Sequence, residues 1–305
     1  MTTVREPALA AAQPVRAPRT RLPGLRRFVR RYRANRLAVI ALVVLIVLIV
    51  LTVAALAAPL IAPYQPEAID VASRLSGLTP RHWLGSDSLG RDTFSRILYG
   101  GRVSLLAAAL AVGIASVIGI PLGLVAGYFG RRIDWLLGRA ADIVMTFPAI
   151  ILAIAIIAAT GPGLTHAMTA LGVVYAPRLF RVVRSATLAV RAETYVTASV
   201  SIGTPTHSII ARRVLPNILS PLLVQLSLLF AAALLAEAAL SLLGLGVVPP
   251  TPSWGNLLGR GFQEIRSTPM LVWWPGLAIA IATLCFNLIG DGLRDSLGRE
   301  TRKGD

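Results

Sequence analysis

Few side chains in this sequence have the types and spacing that chemistry requires. The chain contains three histidines, at His82, His166 and His207. They are far apart, and neither HExxH nor another close spacing of metal ligands occurs. The only lysine, Lys303, does not follow a glycine-rich phosphate loop, so the chain cannot bind and hydrolyse ATP by that route. Ser86 and Ser88 have no histidine or lysine placed with them as a base, so we predict no catalytic and no metal site.

Three carboxylates remain as candidates. Asp142 and Asp291 could be imagined as an aspartyl protease pair, but each lies at the end of an apolar run, where solvated carboxylates are expected. Glu237 differs because it lies well inside the apolar stretch LLAEAALSLLGLG. An ionisable group there faces the interior of a helix bundle or an aqueous cavity. It is either a pathway residue or a buried hydrogen-bonding group between helices, and the sequence leaves both interpretations open.

The elements around these residues predict a membrane protein. Apolar residues make up 55% of the chain, charged residues 14%, and the mean hydropathy is +0.70. Six apolar runs are candidates for crossing a bilayer, and the fourth is the weakest. They lie at 37–62, 104–129, 143–160, 164–183, 218–245 and 271–289.

The positive charges give the predicted orientation. The formal net charge is +16, and most of the 30 Lys and Arg residues lie in the segments that alternate spans place on one side. This distribution follows the positive-inside rule, so it indicates membrane topology rather than nucleic-acid binding. We expect both termini and residues 193–216 to be cytoplasmic.

The sequence divides into five predicted segments. They are a basic cytoplasmic tail at 1–36, a first transmembrane helix at 37–62, an extracytoplasmic segment at 63–103, a five-helix core at 104–292 and a cytoplasmic tail at 293–305. In the first tail, apolar residues recur at helical spacing between 25 and 32. They predict an amphipathic helix on an anionic leaflet, and the alternative is a charge run that only orients the first span. The run at 37–62 is longer than the apolar part of a signal peptide, which indicates a retained anchor.

Small residues and prolines predict how the spans pack. Gly119, Gly123 and Gly127 recur at every fourth position, so another helix can approach closely, from this chain or from a partner subunit. Cys285, the single cysteine, excludes an intrachain disulfide, and we expect it to have a packing role. Three arginines that share one face of the fourth span are predicted to reach lipid headgroups. They are Arg178, Arg181 and Arg184.

The two extracytoplasmic segments are predicted to contain little long helix. Residues 91–98 suggest a short amphipathic helix at the membrane surface, which leads through Gly100 and Gly101 into the second span. The loop at 244–269 contains four prolines, so we expect turns and an interfacial Trp254 to order it.

A polar stretch at 193–216, ETYVTASVSIGTPTHSIIARRVLP, interrupts the apolar sequence. It predicts two short helices, the first with Val196 and Val200 on its apolar stripe. Gly203 ends the first helix because glycine readily enters the left-handed region. Thr204 as N-cap and Pro205 at the first helical position begin the second, and Pro216 begins the next segment. Such a unit suits docking onto another protein, and the alternative is an ordinary interhelical loop.

This stretch resembles the EAA loop of ABC-importer permeases. Ala198, Gly203, Leu215 and Pro216 match that pattern, while Thr197 stands at the position of the Glu. A serine stands at the position of the second Ala, at 199. Three further motifs resemble the second permease subunit of dipeptide, oligopeptide and nickel importers. They are LGSDSLGRDTFSRILYGGRVSL, AEAALSLLGLGVVPPTPSWGNLL and FNLIGDGLRDSLGRE.

The resemblance implies an all-α polytopic membrane protein with six transmembrane helices, the ABC type I importer permease fold and a cytoplasmic coupling helix. It implies a heterodimer with a homologous permease, two cytoplasmic ATPase subunits that bind ATP and Mg, and an extracytoplasmic solute-binding protein. Membrane lipid surrounds the complex, and this chain itself binds no cofactor, no metal and no nucleic acid. The residues implied in the ATPase-coupling loop are Glu193, Thr197, Ala198, Ser199, Gly203, Thr204, Pro205, His207, Arg212, Arg213, Leu215 and Pro216.

The resemblance also limits the cargo. Peptides are favoured over nickel because the histidines are dispersed and the chain has only four methionines. Nickel, glutathione and haem remain alternatives within the family. An intramembrane hydrolase and a self-sufficient ion channel are more remote alternatives.

Overall fold

The computed structural model describes residues 36–298, and side-chain environments within residues 43–294. Residues 41–298 belong to one compact unit, and the packing described below is that of this unit. The amphipathic helix predicted at 25–32 lies outside the described residues.

The described chain is helical, apart from turns, loops and an isolated bridge between Ser86 and Asp92. Its longer helices are α1 (Arg36–Leu56), α3 (Thr93–Phe129), α6 (Leu164–Arg191), α9 (Leu215–Leu242) and α11 (Met270–Gly298). The shorter ones are α2 (Ala58–Ile61), α4 (Arg131–Thr146), α5 (Ala149–Thr160), α7 (Thr194–Ser201), α8 (Thr206–Ile209) and α10 (Trp254–Gln263). This confirms the predicted all-α class.

Three helical segments are long and apolar enough to cross a membrane within the described residues. They are Thr93–Phe129, Thr206–Leu242 and Met270–Arg294. A fourth crossing is possible if α4 and α5, which are bent by 90° at their junction, act as one span. The six-span count stays a prediction.

The predicted span at 143–160 is not one continuous helix. Its first residues belong to α4, and the chain turns sharply at Phe147 before continuing as α5. Phe147 is extended, with φ −87° and ψ 140°. The reason is local, because the ring of Pro148 disfavours helical geometry at the residue before it.

The centre of the fold is the contact between α3 and α6. A Cβ atom on Gly119 would lie 2.8 Å from the backbone oxygen of Ala176, and one on Gly123 would lie 2.7 Å from Val183 Cβ. A Cβ atom on Gly127 would lie 2.6 Å from Thr187 Cβ. The glycine face of α3 therefore packs directly on α6 of the same chain, with no room for side chains between the backbones.

The predicted short surface helix and the second span form one helix, because α3 runs unbroken through Gly100 and Gly101. A Cβ on Gly100 would lie 3.2 Å from the carbonyl carbon of Ser253, and one on Gly101 would lie 2.8 Å from Trp254 Cζ2. These glycines allow α10 to approach α3. The sequence shows only their local flexibility, whereas their role is in tertiary packing.

Two of the three arginines on α6 form ion pairs with α4. Arg184 binds Asp134 through two nitrogens, with Nη2 2.7 Å from Oδ2. Arg181 Nη2 lies 2.5 Å from Asp142 Oδ1. Asp142 is thus paired as well as exposed, which corrects the expectation of a plain solvated carboxylate. On α11, Cys285 is buried.

Candidate functional site

We call residues 193–216 the coupling loop. Its first helix, α7, ends in a defined C-terminal cap. Gly203 has φ +78°, in the left-handed region. Its N–H donates to the carbonyl oxygen of Val200 at 3.0 Å, and the N–H of Thr204 donates to the carbonyl oxygen of Ser199 at 3.1 Å. This pair of bonds is the Schellman arrangement, which satisfies carbonyls at the end of α7.

The second helix begins one residue later than the sequence indicated. Pro205, extended with φ −64° and ψ 139°, occupies the N-cap position, and α8 starts at Thr206. The predicted N-cap role of Thr204 is therefore wrong. Proline already lacks the N–H that a first-turn residue leaves unpaired, so it is tolerated there without a side-chain cap.

The second helix also does not stop at Pro216. It passes through a π-helical turn, Ile210–Val214, into α9, so that the helical run Thr206–Leu242 is continuous. The N–H of Leu215 donates to the carbonyl oxygen of Ile210, five residues back. The wider turn accommodates Pro216, whose ring would clash with a carbonyl four residues back in a regular α-helix.

Apolar side chains attach the coupling loop to the core. Val196, Ile209 and Val214 are each at most 1% exposed and belong to the main buried cluster. The predicted partner of Val196 on this face, Val200, is instead 54% exposed, and Ser199 is buried beside Val196. The buried face therefore passes through positions 196 and 199.

The tip of the coupling loop carries an exposed apolar residue that the sequence interpretation missed. Ile202 is 82% exposed, directly before Gly203. The only sequence signal was an isoleucine at the end of a short helix in an otherwise polar stretch.

The polar residues of the coupling loop are mostly at the surface. Thr197 is exposed, and its Oγ1 donates to the carbonyl oxygen of Glu193 at 3.4 Å. His207, Arg212 and Arg213 are exposed, and no ion pair holds the two arginines within the described residues. Of the remaining residues predicted for this loop, the exposed ones are Glu193, Ala198, Pro205 and Pro216, and the partly exposed ones are Thr204 and Leu215.

Glu237, on α9, is in a different environment. It is 1% exposed, and its two oxygens accept hydrogen bonds from Ser104 Oγ on α3 at 2.9 Å and from Ser241 Oγ at 2.8 Å. Ser104 Oγ in turn accepts from the N–H of Trp254 at 3.1 Å. These contacts correspond to the second of the two interpretations of Glu237, a buried hydrogen-bonding group between helices. Its carboxyl group connects α3, α9 and α10.

Trp254 is not an interfacial anchor, contrary to prediction. It is 2% exposed, and its indole Nε1 donates to the carbonyl oxygen of Ile97 at 3.0 Å. It is the first residue of α10, a helix that the proline-rich sequence did not indicate. Ser253 and Asn256 form a capping box that starts this helix after the prolines end.

Two families of known proteins match the sequence. The family described as "binding-protein-dependent transport system inner membrane component" matches residues 119–303, more than half of the chain. The chain belongs to this family. The family described as "N-terminal TM domain of oligopeptide transport permease C" matches residues 25–80.

Individual relatives agree with this membership. A dipeptide transport system permease protein of Alkalihalophilus pseudofirmus is 45% identical, covering 79% of each chain. A di/tripeptide permease protein of Pseudomonas aeruginosa is 42% identical, covering 79% of this chain and 81% of the relative. A glutathione permease protein of Pectobacterium atrosepticum is 40% identical, covering 79% and 80%. The chain is therefore a permease subunit of an ABC importer and is not the subunit that hydrolyses ATP.

Solved structures show the same fold. A chain of the MetNI methionine ABC transporter, in an inward-facing conformation, superposes with a TM-score of 0.55 at 20% identity. The match covers 66% of this permease and 95% of that chain. At this identity the likeness concerns the fold alone, and it confirms the importer permease fold that the sequence motifs implied.

Proposed function

We propose that this permease pairs with a homologous permease subunit to enclose a pathway for di- or oligopeptides. An extracytoplasmic solute-binding protein delivers the peptide, and two cytoplasmic ATPase subunits, which bind ATP and Mg, supply the energy. Support comes from relatives named for dipeptide and di/tripeptide transport, which are 45% and 42% identical to this chain. The positive charges support a multi-pass protein of the cell membrane with both termini in the cytoplasm.

The observation that carries the coupling part of this proposal is the contrast within the coupling loop. Val196, Ile209 and Val214 are buried in the permease core, while Ile202 at the tip is 82% exposed. A tip fixed to the core in this way moves together with the helices that flank it. An exposed apolar side chain outside the membrane suits a groove on another protein.

Energy transfer follows from this attachment. When ATP closes the two ATPase subunits, the groove that holds the loop tip moves, and the tip carries α6 and α9 with it. The pathway between the two permeases then changes its accessible side. A rigid element with two arrangements gives such coupling a physical basis. The contact residues are those named above for the coupling loop, with Ile202 added to them.

Glutathione is a second candidate cargo, because a glutathione permease protein is 40% identical to this chain. It is itself a modified tripeptide, so the two candidates share most of their chemistry.

The proposal is tested by uptake into liposomes. Both permeases, the ATPases and the binding protein are reconstituted, and accumulation of a labelled dipeptide is measured with ATP and with ADP. We expect accumulation only with ATP, reduced by excess unlabelled dipeptide and unaffected by nickel. If glutathione accumulates and the dipeptide does not, the cargo is glutathione rather than a peptide of the kind proposed. Absence of any ATP-dependent uptake would contradict the proposal.

A further inference from the structure

An apolar cavity lies where α3, α4 and α6 meet, and the proposed function does not use it. Its volume is about 190 Å³, and its lining residues are all apolar or glycine. Apolar cavities of about 150 Å³ stay free of water in proteins and bind small apolar molecules. This cavity, which we call the α4 cavity, therefore has room for several methylene groups and no affinity for water.

The α4 cavity opens to the outer surface of this subunit. One lining residue of each helix is exposed, namely Leu122 on α3, Ala140 on α4 and Val173 on α6. The other lining residues are buried or partly buried. The opening therefore lies among these three exposed residues.

The opening lies near the predicted cytoplasmic end of α3. Leu122 precedes the last residue of that helix, Phe129, by seven residues, which is about 10 Å along a helix. The positive charges place this end of α3 on the cytoplasmic side. The opening is thus at the depth of the acyl chains of the cytoplasmic leaflet, close to their headgroups.

On α4, positive charge lies beside the opening. Arg132, Arg139 and Ala140 are exposed and share one helix face, because they are spaced at i, i+7 and i+8. Leu136 and Ile143, which are 62% and 65% exposed, lie on the same face. A face that combines arginines with exposed apolar side chains is typical of a helix that binds an anionic membrane surface.

The charge of this face is not neutralised by acidic groups nearby. Together, α4 and α6 contain seven arginines and two aspartates. Both aspartates, Asp134 and Asp142, already pair with arginines of α6. No ion pair holds Arg132 or Arg139 within the part of the chain that the structure describes. These two guanidinium groups are therefore free to bind an anion.

We propose that the α4 cavity binds an anionic phospholipid of the cytoplasmic leaflet, with an acyl chain in the cavity and the phosphate on Arg132 and Arg139. Guanidinium groups bind phosphate through paired N–H donors. Basic pockets between membrane helices on the cytoplasmic side are suited to anionic headgroups. The acyl chain supplies the dispersion contacts that an empty cavity lacks, and the phosphate supplies the selectivity.

The alternative occupant is an apolar side chain of the second permease, and the charges favour the lipid. A homologous permease with the same positive-inside distribution would bring its own basic groups to this level of the membrane. Like charges that face each other across an interface oppose association. An anionic lipid instead neutralises Arg132 and Arg139.

The test measures lipid binding to the whole importer, purified in detergent, by native mass spectrometry. Dioleoyl phosphatidylglycerol and dioleoyl phosphatidylcholine are titrated separately, because they share their acyl chains and differ in headgroup charge. We expect the wild-type importer to bind phosphatidylglycerol more tightly. Arg139→Gln should weaken the tightest phosphatidylglycerol binding about tenfold, the usual effect of losing a hydrogen bond to a charged group, and should leave phosphatidylcholine unchanged. Arg139→Lys keeps the charge and should give an intermediate affinity.

A second variant tests the position of the acyl chain. Ala140→Leu narrows the opening at an exposed position, so we expect it to weaken the tightest binding of both lipids. Its control, Ala155→Leu, adds the same atoms to an exposed alanine of α5 outside the lining. The control for charge, Arg294→Gln, removes an exposed arginine of α11 on the same predicted side of the membrane. Both controls should bind lipid like the wild type.

The other outcomes overturn the inference. Unchanged phosphatidylglycerol binding in Arg139→Gln, or an equal loss of both lipids, would mean that this arginine does not bind a headgroup. Unchanged binding in Ala140→Leu would mean that the cavity does not hold an acyl chain. Loss of the second permease from Ala140→Leu complexes would assign the cavity to the interface between the permeases. No peptide is added, so the result does not depend on which cargo is transported.

Discussion

The coupling loop and the surroundings of Glu237 are both polar regions in an apolar chain, but the polar side chains of the first are exposed and those of the second are buried. In the coupling loop, side chains such as Thr197, Arg212 and Arg213 are exposed. Around Glu237, each carboxylate oxygen accepts a serine hydroxyl, and the residue is 1% exposed. A polar residue in a membrane chain is therefore not in itself a sign of a binding site. A better sign of a binding site is a polar group that is exposed or lacks a hydrogen-bond partner.

The two regions are connected through the packing of α3 on α6. Ser104, which binds Glu237, lies on α3, and α6 leads directly into the coupling loop. We therefore expect movement of the loop to reach the Glu237 network through a close helix contact. Substitutions in the coupling loop, at Glu237 and in the contact between α3 and α6 should distinguish loss of coupling to the ATPase from loss of protein stability.

The largest effect is expected from Gly203→Pro. Proline fixes φ near −65°, whereas Gly203 has +78°, and proline also removes the N–H that donates to Val200. We expect a protein that inserts normally but neither transports peptide nor retains the ATPases, measured by uptake and by copurification.

The control for this variant uses the same position. Nothing lies within 4 Å of a Cβ at Gly203, so the restriction there is backbone conformation alone. Gly203→Asn should retain most uptake because asparagine enters the left-handed region more readily than other non-glycine residues. Normal uptake by Gly203→Pro would contradict the proposed coupling role of the loop.

The second largest effect is a loss of protein stability when Glu237 is replaced. Glu237→Leu leaves the hydroxyls of Ser104 and Ser241 without their acceptor, and we expect a loss of about 3 kcal/mol in the free energy of unfolding. Glu237→Gln retains an acceptor and should lose less than about 1 kcal/mol. Thermal unfolding in detergent measures both. A Gln variant that assembles at wild-type levels but loses uptake would instead place Glu237 in the pathway.

The third effect concerns the contact between the two regions. In Gly123→Ala, the new Cβ would lie 2.7 Å from Val183 Cβ, so α3 and α6 must separate, at a cost of about 2 kcal/mol. Gly113→Ala on the same helix meets nothing within 4 Å and should be nearly neutral. Equal stability of the two variants in the same unfolding assay would argue against a close α3 and α6 contact.

The smallest effect depends on pH and concerns Asp87, which forms an ion pair with Arg91 just before α3. Burial opposes its ionisation, but hydrogen bonds from Arg91 and from the backbone N–H of Leu89 hold the pKa of Asp87 below its ordinary value of 3.8. A lowered pKa in the folded state means that the ionised form stabilises the fold above pH 3.8, and that this contribution is lost as the pH falls further.

The corresponding variant is Asp87→Asn. It should lower the free energy of unfolding by about 1.5 kcal/mol at pH 7, the effect of a hydrogen bond to a charged group. The difference from wild type should shrink below pH 4. A difference that stays constant across this range would contradict the role of the charge.

The sequence predicted those features that depend on local geometry. Gly203 could be assigned because a helix end with positive φ selects glycine, and Gly119, Gly123 and Gly127 because their spacing puts them on one helix face. The apolar runs and the motifs led to the importer permease family that the comparisons confirm. These signals need no knowledge of distant residues.

The features that depend on tertiary contacts could not be predicted in this way. The packing role of Gly101 was missed because nothing in its neighbourhood along the chain indicates that Trp254 packs against it. Arg184 was expected to reach lipid, although its partner Asp134 lies 50 residues earlier in the chain. Ile202 was missed because exposure of a single isoleucine is a property of the folded loop.

The central claim is that the tip of the coupling loop contacts an ATPase subunit, and a photo-crosslinking amino acid at position 202 tests it most directly. A matched control places the same amino acid at Leu60, which is 89% exposed in the segment that joins α1 to the predicted extracytoplasmic region. After irradiation of the assembled importer, we predict a covalent adduct between position 202 and an ATPase subunit, and none from position 60. Absence of the adduct at position 202 in an assembled, ATP-hydrolysing complex would contradict the account.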